Sequence, residues 1–323
     1  MIRYQELGFV NTREMFRKAY VGRYAVGAFN FVTLEQLQAI LNACLETRSP
    51  LILQCSANVR RYIGPVMVRH MAAACTEIIR ESDFPIPMAL HLDHGLSYDE
   101  CLSCIEGGFS SVMIDGSPLP YEENVELTAR VVAYAHQFDV TVEGELGVLA
   151  GVEENVLHEE SRYTDPEVVE DFVRRTGVDS LAISIGTSHG VTKIKAKPGE
   201  PLPSLRFDIL SDIERRLPGF PIVLHGASAI LPEYIDMINN NGGQLVGAQG
   251  IPEDQVAHAA KGAVCKINVA SDGWVATTAM VRKALAEHPS TIDPRKYLSP
   301  AREEMTRLYA RKNREVLGSA GKA

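Results

Sequence analysis

Short apolar runs alternate with longer amphipathic patterns eight times along this chain, and few folds accept that rhythm. The runs lie at 25–29, 50–55, 87–92, 111–114, 140–146, 180–185, 221–224 and 264–269. Most are almost continuously apolar, as expected of parallel strands covered on both faces. Between them the apolar residues recur at helical spacing over 33–46, 65–80, 97–106, 122–136, 165–175, 205–216, 232–240 and 253–260. Two of these stretches carry clear start signals: Thr33 with Gln36 three residues on makes a capping box, and Asp165-Pro166 places a cap before a first-turn proline. Eight strands, nearly all followed by a helix, predict an α/β chain folded as a (β/α)8 TIM barrel, with an open doubly wound sheet as the alternative. Further helical patterns at 274–287 and 301–316 add extra C-terminal helices. Dividing 323 residues by ~150 per domain gives about two, but barrels run to ~250 residues or more as one unit. The expectation is one domain over 1–323.

With 32 basic against 41 acidic residues the chain is acidic, which argues against nucleic acid or an anionic membrane as partner. The first sixteen residues alternate polar and apolar and offer no signal-peptide core, and no apolar stretch approaches the ~20 residues of a membrane span. Six cysteines in a chain this long make no dense disulfide framework, and the lone Cys101-x-x-Cys104 falls in a helical pattern. The expectation is a reduced, cytoplasmic protein.

In a barrel of this type the chemistry collects at the C-terminal ends of the strands. Four of nine histidines fall there: His91, His94, His189 and His225. The others (His70, His136, His158, His258 and His288) fall on helices or loops, where a surface role is the default. Imidazoles from separate strands converging on one mouth point to a metal, since neutral His is the usual zinc ligand and three ligands leave a position for substrate. Spacing alone leaves open which of His91 and His94 binds. Acidic residues gather at the same end: Asp93, Asp115, Glu143 and Glu145. Glu143 reads equally well as an ion pair inside the barrel. Small residues follow, in Gly186-Thr-Ser-His-Gly190, His225-Gly-Ala-Ser228 and Asn268-Val-Ala-Ser271, whose amides and hydroxyls suit a phosphate. Two stretches, 147–164 and 190–204, are long for barrel loops; the first carries Glu153 and Glu154 between glycines, as a solvated face or as a lid bearing a base. The residues alone therefore predict a metal-dependent enzyme for a small phosphorylated substrate.

These motifs closely resemble those of the class II, zinc-dependent fructose-bisphosphate aldolases. The resemblance is carried by Gly27-Ala-Phe-Asn30, His91-Leu-Asp-His-Gly95, Ser110-Ser-Val-Met-Ile-Asp115, Val142-Glu-Gly-Glu-Leu-Gly147, Ile185-Gly-Thr-Ser-His-Gly190, Leu224-His-Gly226 and Asn268. It implies a TIM barrel, dimeric or larger, that cleaves fructose 1,6-bisphosphate reversibly to dihydroxyacetone phosphate and glyceraldehyde 3-phosphate. His94, His189 and His225 would be the zinc ligands, and Asp115 and Glu145 would hold an alternative, more buried metal position. Asp93 would serve as acid/base at the C4 hydroxyl and Glu154 would exchange the C3 proton. Gly190, Gly226, Ala227, Ser228, Asn268, Val269, Ala270 and Ser271 would hold the dihydroxyacetone phosphate end, with a monovalent cation near that phosphate, and Ser56 would face the sugar further along. Zinc at the C2 oxygen would stabilise the enediolate, so no Schiff-base lysine is needed. Ala270 departs from the Asp common in the family toward the Ala of tagatose-bisphosphate aldolases, and Trp274 replaces an Arg that often meets the second phosphate. Tagatose 1,6-bisphosphate or another ketose phosphate is therefore the alternative substrate, and a non-catalytic phosphosugar-binding protein the alternative outside the aldolases. A barrel-type metal hydrolase would want H-x-H on the first strand, which 27–30 does not supply.

Overall fold

In a computed structural model of the chain, the eight apolar runs close on themselves. The structure describes residues 1–149, 151–153, 156–158, 162–188, 190 and 204–323, with the backbone alone at 151–153 and 156–158. The strands are β1 (Val26–Asn30), β2 (Leu51–Ser56), β3 (Met88–Gly95), β4 (Ser111–Ile114), β5 (Thr141–Leu146), β6 (Gly151–Glu153), β7 (Val156–His158), β8 (Ser180–Ile183), β9 (Ile222–Leu224) and β10 (Val264–Val269). All except β6 and β7 form one closed barrel in the order β1-β10-β9-β8-β5-β4-β3-β2, and every neighbouring pair is parallel. Closure removes both sheet edges and excludes the doubly wound alternative.

The helices are α1 (Arg13–Gly22), α2 (Leu34–Thr47), α3 (Ala57–Ile63), α4 (Pro65–Glu81), α5 (Tyr98–Glu106) and α6 (Tyr121–Ala135). They continue as α7 (Pro166–Thr176), α8 (Phe207–Arg216), α9 (Pro232–Asn240), α10 (Glu253–Ala260), α11 (Ser271–Glu287) and α12 (Pro294–Arg311). The predicted caps do start two of them. The Thr33 side chain accepts from the Gln36 amide as Gln36 reaches back, and Asp165 accepts from Glu167 N–H at 2.9 Å.

Where local pattern failed, a tertiary contact or a cap explains why. The N-terminal segment, read as a bare polar–apolar alternation, winds into α1, and its Met15, Phe16 and Ala19 plug the bottom of the barrel against Val26, Ala28, Ile52, Ala89 and Cys265. The stretch 147–164, expected as a loop, contains the antiparallel hairpin β6–β7 and a bridge between Val148 and Arg162. His158 therefore lies on a strand. The last long helix begins at Pro294, not at Ala301: the Asp293 side chain caps it, Pro294 fills the first turn, and Pro300 is accommodated inside. It runs on into a π turn at Lys312–Val316. α11 likewise starts at Ser271, a turn before the expected Trp274. No helix among the described residues is long and apolar enough to cross a membrane. Cys101 and Cys104 lie on α5, and all six cysteines are buried with none in a disulfide.

Thr33→Ala removes an acceptor that no other side chain replaces. It should lower stability by about 1 kcal/mol, read as an earlier urea midpoint with an unchanged slope.

Candidate active site

Polar residues are buried within the barrel beside the apolar cluster Met113, Ala182 and Val223. β2, β3, β4, β5 and β10 each turn a polar side chain inward, and these residues are buried: Gln54, His91, Ser111, Glu143 and Lys266. Glu143 is the hub. Its carboxylate lies 3.0 Å from Lys266 Nζ and 2.7 Å from His225 Nε2, with His91 Nε2 3.8 Å away. The ion-pair reading of Glu143 is the geometry observed. His91 bonds Ser111 Oγ at 2.8 Å through its other nitrogen. Burial, then the Lys266 charge, hold its pKa well below the usual histidine range, so it stays neutral.

His94 reaches the mouth by a backbone break. Alternation along a strand would send it opposite to His91 and Asp93. Instead it adopts a left-handed φ of 46°, and the register of β3 against β4 shifts between Leu92 and Gly95. That conformation is uncommon for a residue with a Cβ, and such strain clusters at functional sites. It brings His94 Nδ1 within 3.1 Å of Asp115 Oδ2 and 3.7 Å of Glu145 Oε2. Asp115 is held well below the usual carboxylate range: burial opposes this, but the bond from His94 and the donors of Ser117 outweigh it.

Two ring nitrogens then meet. His94 Nε2 and His225 Nδ1 are 2.6 Å apart, the rings edge to face. The far nitrogen of His94 is committed to Asp115 and that of His225 to Glu143. A neutral imidazole has one N–H, so with those protons placed the facing nitrogens both present lone pairs. Both are then lone pairs of the kind a metal ligand needs, and Asn268 Nδ2 also lies 3.2 Å from His225 Nδ1. The donor set fits a divalent metal: ligand atoms of Asp93, His94 and His225 lie within 4.8 Å of one another, as do those of His94, Asp115 and Glu145.

Asp93 is fixed on both sides. Asn30 Nδ2 donates to Oδ2 at 2.7 Å and Asn268 Nδ2 to Oδ1 at 2.9 Å, while Gln54 holds Asn30 at 2.7 Å. Burial would raise the Asp93 pKa, but His94, His225, Lys266 and Asn30 bring it below the ordinary value. Its contribution to stability is thus present above the unfolded carboxylate pKa and lost as pH falls through the folded one.

The candidate substrate residues rim the same mouth. Ser56 ends β2, where its hydroxyl also caps α3 at Val59 N–H. Gly226, at φ 62°, packs against the Ser188 backbone, where a Cβ would come within 2.6 Å of the Ser188 carbonyl oxygen. Ala227 and Ser228 follow it, buried. Asn268 and Val269 end β10, Ala270 is the N-cap position of α11, and Ser271 opens that helix. Gly190 has a left-handed φ of 82°. Among the described residues, the buried Asn268 Oδ1 and Thr187 Oγ1 have no hydrogen-bond partner. His189 and Glu154 lie outside the described residues. Sequence reading gave no role to Asn30, Gln54 or Lys266. A lone polar residue inside an apolar run, as in Leu51–Ser56 or Val264–Val269, was the available signal.

The model of the fructose-bisphosphate aldolase class-II family matches residues 10–322. The chain belongs to that family. It is 56% identical to the fructose-bisphosphate aldolase of Treponema pallidum over the full length of both chains. It is 43% identical to that of Giardia intestinalis, over 96% of this chain and 93% of the relative. The solved YdjI aldolase of Escherichia coli K12 superposes with a TM-score of 0.75 at 25% identity, over 98% of this chain and 99% of that one. This aldolase is therefore an enzyme, a carbon–carbon lyase, of a metal-dependent family that acts on small sugar phosphates.

Lys266→Met leaves Glu143 as an unbalanced buried carboxylate. It should cost about 3–5 kcal/mol, and Lys266→Met combined with Glu143→Gln should recover part of that loss; a denaturation series on the three proteins checks both.

Proposed function

We propose that this aldolase reversibly cleaves fructose 1,6-bisphosphate to dihydroxyacetone phosphate and glyceraldehyde 3-phosphate, with zinc as its metal. The observation that carries the reading is the facing pair of ring nitrogens on His94 and His225 beside the doubly held Asp93. The names of the Treponema and Giardia relatives support the substrate.

In this reading His94 and His225 hold the metal with His189, and Asp115 and Glu145 offer it a second, deeper position. When bound, zinc supplies Lewis-acid polarisation of the substrate carbonyl. Everything else falls to the side chains. Glu143 accepts a hydrogen bond from the Nε2–H of His225, which leaves the Nδ1 lone pair turned toward the pocket. Asp93 is kept ionised by its neighbours and accepts the C4 hydroxyl proton as the C3–C4 bond breaks. The two amide donors on its oxygens hold that carboxylate in place, so little reorganisation accompanies the transfer. Glu154 exchanges the proton at C3 on the strength of the family resemblance. Gly190, the 226–228 loop and Asn268 to Ser271 hold the dihydroxyacetone phosphate end, where Asn268 Oδ1 is still open to a donor. A monovalent cation beside that phosphate and Ser56 facing the sugar further along complete the site.

Ala270 supports tagatose 1,6-bisphosphate as the alternative substrate, because a methyl group stands there in place of a carboxylate. The remaining expectations keep their form: one domain over 1–323, a homodimer or larger oligomer, and a cytoplasmic setting. Six buried cysteines with none in a disulfide fit a reducing compartment.

A coupled cleavage assay over a panel of ketose phosphates, with and without chelator, tests the reading. Chelator should abolish cleavage and added zinc restore it; chelator-resistant turnover would refute the metal's role. His225→Ala should lose bound metal by elemental analysis. Asp93→Ala should keep the metal and lose about 10²–10⁴-fold in kcat. Unchanged kcat there would assign the C4 proton to another group.

A further inference from the structure

Behind the loop that follows β9 lies a buried ion pair with no part in the chemistry above. Asp272, the second residue of α11, is 2% exposed. Its Oδ1 accepts the Ala229 amide at 3.1 Å and lies 2.9 Å from Lys312 Nζ. Lys312 is 3% exposed and opens the π turn after α12. Its ammonium also meets Glu253 Oε1 at 3.1 Å, and Arg311 grips the same Glu253 carboxylate through bonds of 2.7 and 2.8 Å.

The Ser228 carbonyl, in turn, accepts from the Ile251 amide at 3.0 Å. The Ser228 C=O and the Ala229 N–H belong to one peptide unit, and a peptide unit is planar. Pinning both of its polar ends fixes the plane, and with it the ψ of Ser228 and the φ of Ala229. Any side chain at Gly250 would collide with the Ala229 backbone, so the loop is backed sterically as well. Asp272 also carries a charge of the wrong sign for a neighbour of a phosphate. Lys312 cancels it: burial would raise the Asp272 pKa, yet the ammonium, with the Ala229 amide and the Ser228 hydroxyl, holds it below the usual value.

We propose that Asp272 and Lys312 are positioning residues for the phosphate end of the substrate, locking the Ser228–Ala229 peptide so that the 226–228 loop is shaped before substrate arrives. This rests on the reading that the loop holds a phosphate. Neither residue touches the substrate or the metal, so their loss should act on binding, not on bond cleavage.

The test uses the metal-loaded enzyme and the variants Asp272→Ala, Asp272→Asn and Lys312→Met. It measures KM, kcat, inhibition by inorganic phosphate, and hydrogen exchange across 226–230. Asp272→Ala and Lys312→Met should raise KM and the phosphate inhibition constant about tenfold, the loss of one charge-assisted hydrogen bond. With kcat held within about threefold, that is the pattern of lost uniform binding. Exchange at the Ala229 amide should quicken. Asp272→Asn keeps an oxygen for that amide and should show a smaller effect, so it serves if the other two fail to fold. Equal KM and equal inhibition in folded variants, or a fall in kcat alone, would overturn the positioning role. Absence of phosphate inhibition in the unaltered enzyme would overturn the phosphate assignment itself, and the proposal with it.

Discussion

A carboxylate sealed inside a barrel has to be answered by positive charge, and Glu143 sets that condition for the whole mouth of this enzyme. Lys266 answers it from β10, and the neutral His225 adds an N–H donor through Nε2. An isolated buried charge would cost far more than a domain's margin of stability, so these partners constrain one another's positions. The consequence reaches the pocket. Because the Nε2–H of His225 donates to Glu143, its other nitrogen faces His94 across the mouth. The orientation of the rings at the mouth thus starts one layer below it, in a buried ion pair.

A second constraint is orientation. Asp93 is held by Asn30 from β1 and Asn268 from β10, two strands that neighbour each other only because the barrel closes. An open sheet would leave β1 and β10 at opposite edges and Asp93 without half its support. Closure therefore supports the Asp93 carboxylate as much as the fold. The loops follow the same logic at lower precision: Gly226 nests on Ser188, and the peptide after Ser228 is tied to residues 251 and 272.

Much of this was legible in the residues themselves. The apolar runs gave strand positions to within a residue or two at most ends, because burial on both faces leaves a continuous signal. Thr33 and Asp165 marked helix starts because a cap is a local bond. The gathering of His225, Asp93, Asp115 and Glu145 at one mouth followed from barrel topology, in which every strand end opens there, whereas the choice of His94 over His91 came only from the family resemblance. α1 was not legible, since its apolar face has meaning only against the barrel floor. Nor were the roles of Asn30, Gln54 and Lys266, which are defined by partners 24 to 123 positions away.

The sequence by itself determined the alternation, hence the barrel, and the kinds of donor available at its mouth. Tertiary structure alone decided which neighbour each ring nitrogen meets, that His94 leaves the strand's alternation through a left-handed turn, and that a lysine far down the chain neutralises Asp272. The physical reason is range. Periodicity and capping are settled within a turn or a strand, whereas protonation, ion pairing and ring orientation are set by whatever the closed barrel brings within about 4 Å, the reach of an ion pair or a hydrogen bond.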